Sequence, residues 1–217
     1  MSLHLFTFNA FQENTYVLVN ENSEAIVFDP GMSDSFEEKV FSDFLDRNGL
    51  TLKMILNTHC HIDHILGIDF VKRKYAAPFY AHQKDLEVIE RAERSAAMWN
   101  ISFNGCPAPD HFLNEGDIIE FGQYKLEVVF VPGHCPGHVA FIDHTHKQVI
   151  IGDVLFKGSV GRVDLPGCNA ADLVNSLQEK IYKLPEDYVV HPGHGPSTTI
   201  GEEKHSNHFV GADYSRL

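Results

Sequence analysis

Positive charge is scarce in this chain. Seventeen Lys and Arg stand against thirty Asp and Glu in 217 residues, a formal net charge of −13. A nucleic-acid binder carries a basic face. The one grouping of cations, Lys72-Arg73-Lys74, lies beside an apolar helical run and reads as a solvated helix face. The same deficit argues against docking on an anionic membrane. Long apolar runs are also lacking, so no segment is expected to span a bilayer. Met1-Ser2-Leu3-His4-Leu5 has neither the basic nor the apolar part of a signal peptide. Cysteine is sparse: Cys60, Cys106, Cys135 and Cys168 form no Cys-x-x-Cys pair, which points to free thiols in a reducing compartment. The expected address is the cytoplasm, with no nucleic acid and no membrane as partner.

What remains is ordinary except in one respect. Hydrophobic residues make up 43% and charged residues 22%, enough apolar material for a core without disulfides. Histidine is the exception, with fourteen copies, and imidazole is the commonest protein ligand for metals. Several of these are unremarkable. His144 and His146 belong to a polar hairpin turn, and His4, His82, His111, His205 and His208 sit in no ligand-like spacing.

The elements alternate in a simple order. Leu3 to Phe8, Thr15 to Val19 and Ala25 to Asp29 read as an antiparallel meander. Asp29-Pro30-Gly31 breaks the third strand, and Ser33 or Asp34 caps a helix that runs to about Asn48 and stops at Gly49. Lys53 to Asn57 is a strand, and a helix follows His64 to about Tyr75. Phe79 to Ala81 leads into a helical stretch from Gln83 to about Trp99, with a weak stripe of Leu86, Ile89, Ala92 and Ala96. The second half repeats the theme. Strands Asp117 to Phe121, Tyr124 to Val131, His138 to Asp143 and Gln148 to Gly152 precede a helix from about Ala170 to Leu184. A strand at Tyr188 to His191 and a short polar helix come last. Two β-rich halves with helices, and no low-complexity linker, suggest one domain over residues 1–217, built as two sheets packed face to face with helices outside.

The chemistry concentrates in Thr58-His59-Cys60-His61-Ile62-Asp63-His64. Four potential ligands occupy six residues directly after a strand. On extended backbone, 59, 61 and 63 point to one side, and His64 opens the next helix. That geometry suits two neighbouring metals. Further candidates end other strands: His134 in Pro132-Gly133-His134, Asp153 in Ile151-Gly152-Asp153, and His194 in Pro192-Gly193-His194-Gly195-Pro196. Glycine and proline on either side hold such residues in fixed turns. Five histidines and two aspartates make two nitrogen/oxygen sites sharing a carboxylate, a set that suits zinc and also accepts iron or manganese.

This ligand order, Thr58-x-His59-x-His61-x-Asp63-His64 followed by His134, Asp153 and His194, resembles the metallo-β-lactamase superfamily over nearly the whole chain. The stretch Gly152-Asp153-Val154-Leu155-Phe156-Lys157-Gly158, continuing to Gly167, and Pro192-Gly193-His194-Gly195-Pro196 look like its glyoxalase II-like branch. The resemblance implies an α/β (α+β) fold, a four-layer αββα sandwich of two mixed sheets. It implies that His59, His61 and His134 hold one divalent metal, that Asp63, His64 and His194 hold the other, and that Asp153 bridges them. Full-length glyoxalase II enzymes carry a C-terminal helical domain for glutathione. This chain ends about 23 residues after His194, so that domain is expected to be missing, and the chain resembles the shorter members of the branch. Cys135 and His208 depart from the family's usual residues.

The expected activity is hydrolysis of a small thioester, as in hydroxyacylglutathione hydrolase. Hydroxide bridging two ions, zinc by expectation, is the nucleophile. Asp63 and Asp153 orient it, and Asp63 takes up its proton. A thiolate leaves without a strong general acid, because its pKa is about 8.5. Asp29 and His138 are expected to orient ligands through hydrogen bonds. Lys157 and Arg162 are candidates for holding a substrate carboxylate, or else members of surface salt bridges. Cys60 and Cys135 flank ligands, but the nitrogen/oxygen set is complete without them. The rival on the same fold is a persulfide dioxygenase-like oxidoreductase with one iron, which the chain resembles through Gly161-Arg162-x-Asp164.

Overall fold

A computed structural model of the protein describes residues 2–209. The chain forms two compact units. The first takes the described residues up to Leu113 together with Phe121–Gln123, and the second takes Asn114–Glu120 and the described residues from Tyr124 onward. Each unit is a mixed sheet with helices, so the α/β class expected from the sequence is the class observed.

The first unit contains β1 (Ser2–Phe8), β2 (Glu13–Val19), β3 (Glu24–Phe28), α1 (Ser35–Arg47), β4 (Thr51–Leu56), α2 (Ile68–Tyr75), β5 (Phe79–His82), α3 (Leu86–Glu90), α4 (Ala92–Trp99) and β6 (His111–Leu113). The sheet runs β1-β2-β3-β4-β5-β6. The first three strands form the expected antiparallel meander, and β3 to β6 pair in parallel. Asp34 caps α1 by accepting from the Phe36 and Glu37 amides, a bond that stabilises a helix by about 1 kcal/mol. Phe41 and Leu45 of α1 and Ile68 and Val71 of α2 share one buried cluster with Val17, Ala25, Val27 and Ile55 of the sheet. Period-3.6 helix faces thereby meet period-2 strand faces.

The second unit contains β7 (Ile118–Phe121, whose last residue belongs to the first unit), β8 (Tyr124–Phe130), β9 (Val139–Asp143), β10 (Gln148–Gly152), β11 (Leu155–Phe156), β12 (Ser159–Val160), α5 (Ala170–Glu179), β13 (Val189–Pro192), β14 (Thr198–Thr199) and α6 (Ile200–Ser206). Its main sheet runs β14-β13-β10-β9-β8-β7, with β10 and β13 parallel. Leu173 and Leu177 of α5 bury into Val131, Ala140, Ile142, Val149 and Ile151.

Several expected boundaries move, each for a local reason. The helix expected after His64 begins at Ile68, because Ile62–His64 closes a separate 3-10 turn. The amide of Gly67 is drawn to Pro30 O at 2.8 Å. The stretch from Gln83 to Trp99 breaks at Arg91 into a 3-10 turn, α3 and α4. The helix from Ala170 stops at Glu179, where Lys180 leaves helical geometry (φ −124°, ψ −65°), and a 3-10 turn follows at Ile181–Lys183. Among the described residues no helix is long and apolar enough to cross a membrane.

Candidate metal centre

In the first unit, Phe28 and Leu56 pair in parallel register, so β3 and β4 end at the same sheet edge. Asp29 leaves one strand there and Asn57 to His64 leave the other. The ligand run is a loop and a 3-10 turn rather than extended strand, with His61 (φ −63°, ψ 156°) as the cap. Asn57 closes it: its side-chain amide donates to His59 O at 3.1 Å and to His64 O at 2.9 Å. The rings of His59 and His61 meet at 4.8 Å between centroids, and those of His59 and His64 at 4.1 Å. His59 and His64 are fully buried. His61 is partly exposed beside them, and an imidazole nitrogen is a good ligand for a divalent cation.

Asp29 holds this cluster from behind. Its carboxylate accepts from Thr58 N (2.7 Å) and Thr58 Oγ1 (2.6 Å) and faces His64 Nδ1 at 3.2 Å. A carboxylate on Nδ1 fixes the tautomer and turns Nε2 toward a metal. Donor atoms of Asp29, His59 and His64 lie within 4.8 Å of one another. Asp29 also adopts φ +49° while buried. A strained non-glycine residue that its neighbours hold in place is a mark of a functional site. Asp63 follows on the 3-10 turn, with its carboxylate 3.6 Å from His64 Nε2.

Sequence reading missed three polar residues here. Glu13, Asn14 and Thr15 open β2 fully or almost fully buried, the strand starting two residues ahead of the Thr15 expected from the sequence. Thr15 Oγ1 lies 2.8 Å from both Glu13 Oε2 and Asp29 O, donating its one proton between them, and accepts from Gly31 N. Glu13 Oε1 lies 3.8 Å from His64 Nδ1. Burial raises the Glu13 carboxyl well above its ordinary value, partly offset by the neighbouring His64. A Glu-Asn-Thr run offers no periodic signal for this role. Only the sheet edge explains it.

In the second unit, β8, β10 and β13 run in one direction and deliver His134, Asp153 and His194 at their C-terminal ends. Gly193 N bonds to Gly152 O at 2.9 Å, tying the last two turns together. Asp153 Oδ2 stands 3.5 Å from His134 Nε2 and 3.5 Å from His194 Nε2. One carboxylate oxygen thus faces two imidazoles. His134 Nδ1 donates to Arg162 O at 2.9 Å, so Nε2 is the nitrogen turned to Asp153. His138 Nε2 accepts from Asp153 N at 3.1 Å while Nδ1 donates to Val139 O, so His138 holds the backbone of Asp153. Gly161 passes so close that an added Cβ would lie 1.9 Å from Asp153 O.

The side chains of the other candidates have other partners or are packed away. Lys157 pairs with Glu202 at 3.2 Å, and Arg162 forms a two-pronged pair with Asp164 at 2.7 and 2.9 Å. Cys60 packs in the first unit's core, and Cys135 is fully buried. All four cysteines are free thiols.

Nitrogen and carboxylate donors gathered at strand ends, with Nε2 atoms turned to a shared carboxylate, fit divalent zinc, iron or manganese. The sequence matches the metallo-β-lactamase superfamily over residues 8–194, which takes in donors from both units. The chain belongs to that superfamily, whose class is the metallo-hydrolases. Hydroxyacylglutathione hydrolase GloC of Haemophilus influenzae is 32% identical over 212 residues, 97% of this chain and 98% of the relative. Among solved structures, BLEG-1 B3 metallo-β-lactamase has a TM-score of 0.88 at 34% identity, covering 96% of this chain and 99% of that one. TTHA1623 in a di-iron-bound form has a TM-score of 0.85 at 37% identity, covering 95% and 100%.

Proposed function

We propose that the protein is a thioester hydrolase working with two divalent ions. His59, His61 and His134 would hold one ion, Asp63, His64 and His194 the other, and Asp153 would serve both. The observation that carries this reading is the placement of one Asp153 oxygen at equal distance from His134 and His194. The thioester is supported by the relative whose name describes hydrolysis of hydroxyacylglutathione. When bound, such ions bring the pKa of water to near neutral and polarise a carbonyl.

The protein's own groups supply the rest. Thr58, Asp29, Asn57 and His138 fix the orientation of the donors before substrate arrives, so little reorganisation accompanies reaction. Asp63, on the more exposed side of the cluster, accepts the proton released as water attacks. A C–O bond forms, the C–S bond breaks, and a carboxylate and a thiol result. The thiolate needs no strong acid, since thiols ionise near pH ~8.5. Lys157 and Arg162 would have to exchange Glu202 and Asp164 for any substrate carboxylate. The small-molecule substrate would be the only partner at this site, and the protein would act in the cytoplasm.

Metal analysis beside a panel of thioesters tests the reading. Two ions per chain with thioester turnover supports it. One iron per chain with oxygen consumption on a persulfide overturns it in favour of the dioxygenase.

A further inference from the structure

Trp99 and Phe11 form an aromatic pair beside the ligand run. Trp99 is the only tryptophan of the chain. It ends α4 half exposed, next to Met98 at 73% exposure. Ala92 and Ala96 of the same helix are buried in the first unit's core, and α4 packs against the 3-10 turn that carries Asp63 and His64. The indole meets the ring of Phe11 edge to face, 5.6 Å between centroids at 87°.

Phe11 lies in the turn between β1 and β2, which is bonded to the ligand run. Asn9 Oδ1 accepts from Phe11 N at 3.0 Å, while Asn9 Nδ2 donates to Asp63 O at 3.0 Å and Gly31 O at 2.9 Å. Asn9 (φ +54°) and Gln12 (φ +57°) are both left-handed without being glycine, a cost that the Asn9 bonds offset. One side-chain amide therefore registers an aromatic ring against the backbone of a ligand. Large apolar surface left in water beside a polar reaction centre marks a place where substrate binds.

We propose that Phe11 and Trp99 form the acyl subsite, and that the preferred substrates carry an apolar or aromatic group next to the scissile carbonyl. This rests on the thioester reading above and names its substrate class. An aryl group set against the pair covers the exposed surface of Trp99, and such apolar contacts discriminate substrates by about 10- to 200-fold.

The test uses the metal-loaded protein and thioesters of a single carrier thiol, with acetyl and phenylacetyl as the acyl groups. The ratio of kcat/KM, phenylacetyl over acetyl, should fall about tenfold in Trp99→Ala and in Phe11→Ala, mainly through KM. Trp99→Phe should retain most of the preference. Emission of Trp99 should also change saturably with the non-hydrolysable thioether analogue of the phenylacetyl substrate, and not with that of the acetyl substrate. An unchanged ratio in both alanine variants, or equal emission responses to the two analogues, overturns the subsite. A change in emission with protein concentration alone assigns the pair to a contact between copies and also overturns it. If no thioester is turned over, the hydrolase reading fails, and the emission titration still decides the subsite.

Discussion

Asp29 makes the clearest case at the scale of single residues. It grips Thr58 twice and faces His64, yet it is not one of the proposed ligands. Loss of such a group typically weakens metal binding by about 10- to 100-fold. Asp29→Ala should therefore retain metal poorly, and competition with a chromogenic chelator measures it. Asp153→Ala goes further, since it removes the oxygen that faces both imidazoles. Its expected outcome is fewer ions per chain and loss of most thioester turnover, and full turnover would refute the two-ion mechanism. His191 speaks through pH. Burial lowers its pKa to about 4, so the folded protein keeps it neutral while the unfolded chain protonates it near 6.5. The stability it contributes is complete above 6.5 and declines as pH falls from 6.5 toward 4. His191→Gln should flatten the acid limb of urea-melt stability against pH within that window.

At the scale of elements, close backbone approach sets the site. The segment after β12 passes against Asp153, and Gly161→Ala would force a Cβ into Asp153 O. Overpacking of this kind costs about 1–3 kcal/mol, and thermal unfolding should show it together with lower turnover. Leu173 of α5 is fully buried and its backbone lies under Gly133, just before His134. Leu173→Ala should destabilise by about 2–5 kcal/mol through the cavity it leaves. Both the loss of stability and any shift of His134 would come from one helix, which connects packing to chemistry.

At the scale of the whole molecule, charge and family act together. A net charge of −13 repels polyanions, and phosphate contacts are what give nucleic-acid binding its strength. Retention on RNA at low salt is expected to be nil. The chain matches the superfamily from residue 8 to residue 194, and ions held by the proposed donors would stabilise the folded protein. Chelation should lower the melting temperature, and restoring zinc, iron or manganese should recover it.

The candidate donors and their order were read from residue spacing, because metals demand particular donor atoms, and the fold gathers several of them at strand ends. The meander, the α1 cap at Asp34 and the mixed α/β class were legible for a similar reason: apolar periodicity and capping chemistry are local. Tertiary structure alone decided the rest. Nothing near Glu13 in sequence says that it lies against His64, and His138, expected to orient a ligand, needed the fold to show that it holds the amide of Asp153. The pairing of Asn9 with Asp63 O spans 54 residues. These are contacts between segments far apart in the chain, made where strands of one sheet reach a common edge. Seven candidate donors could be named from their order. Which groups aim them, and which aromatic rings stand beside them, depended on how the strands lie next to one another.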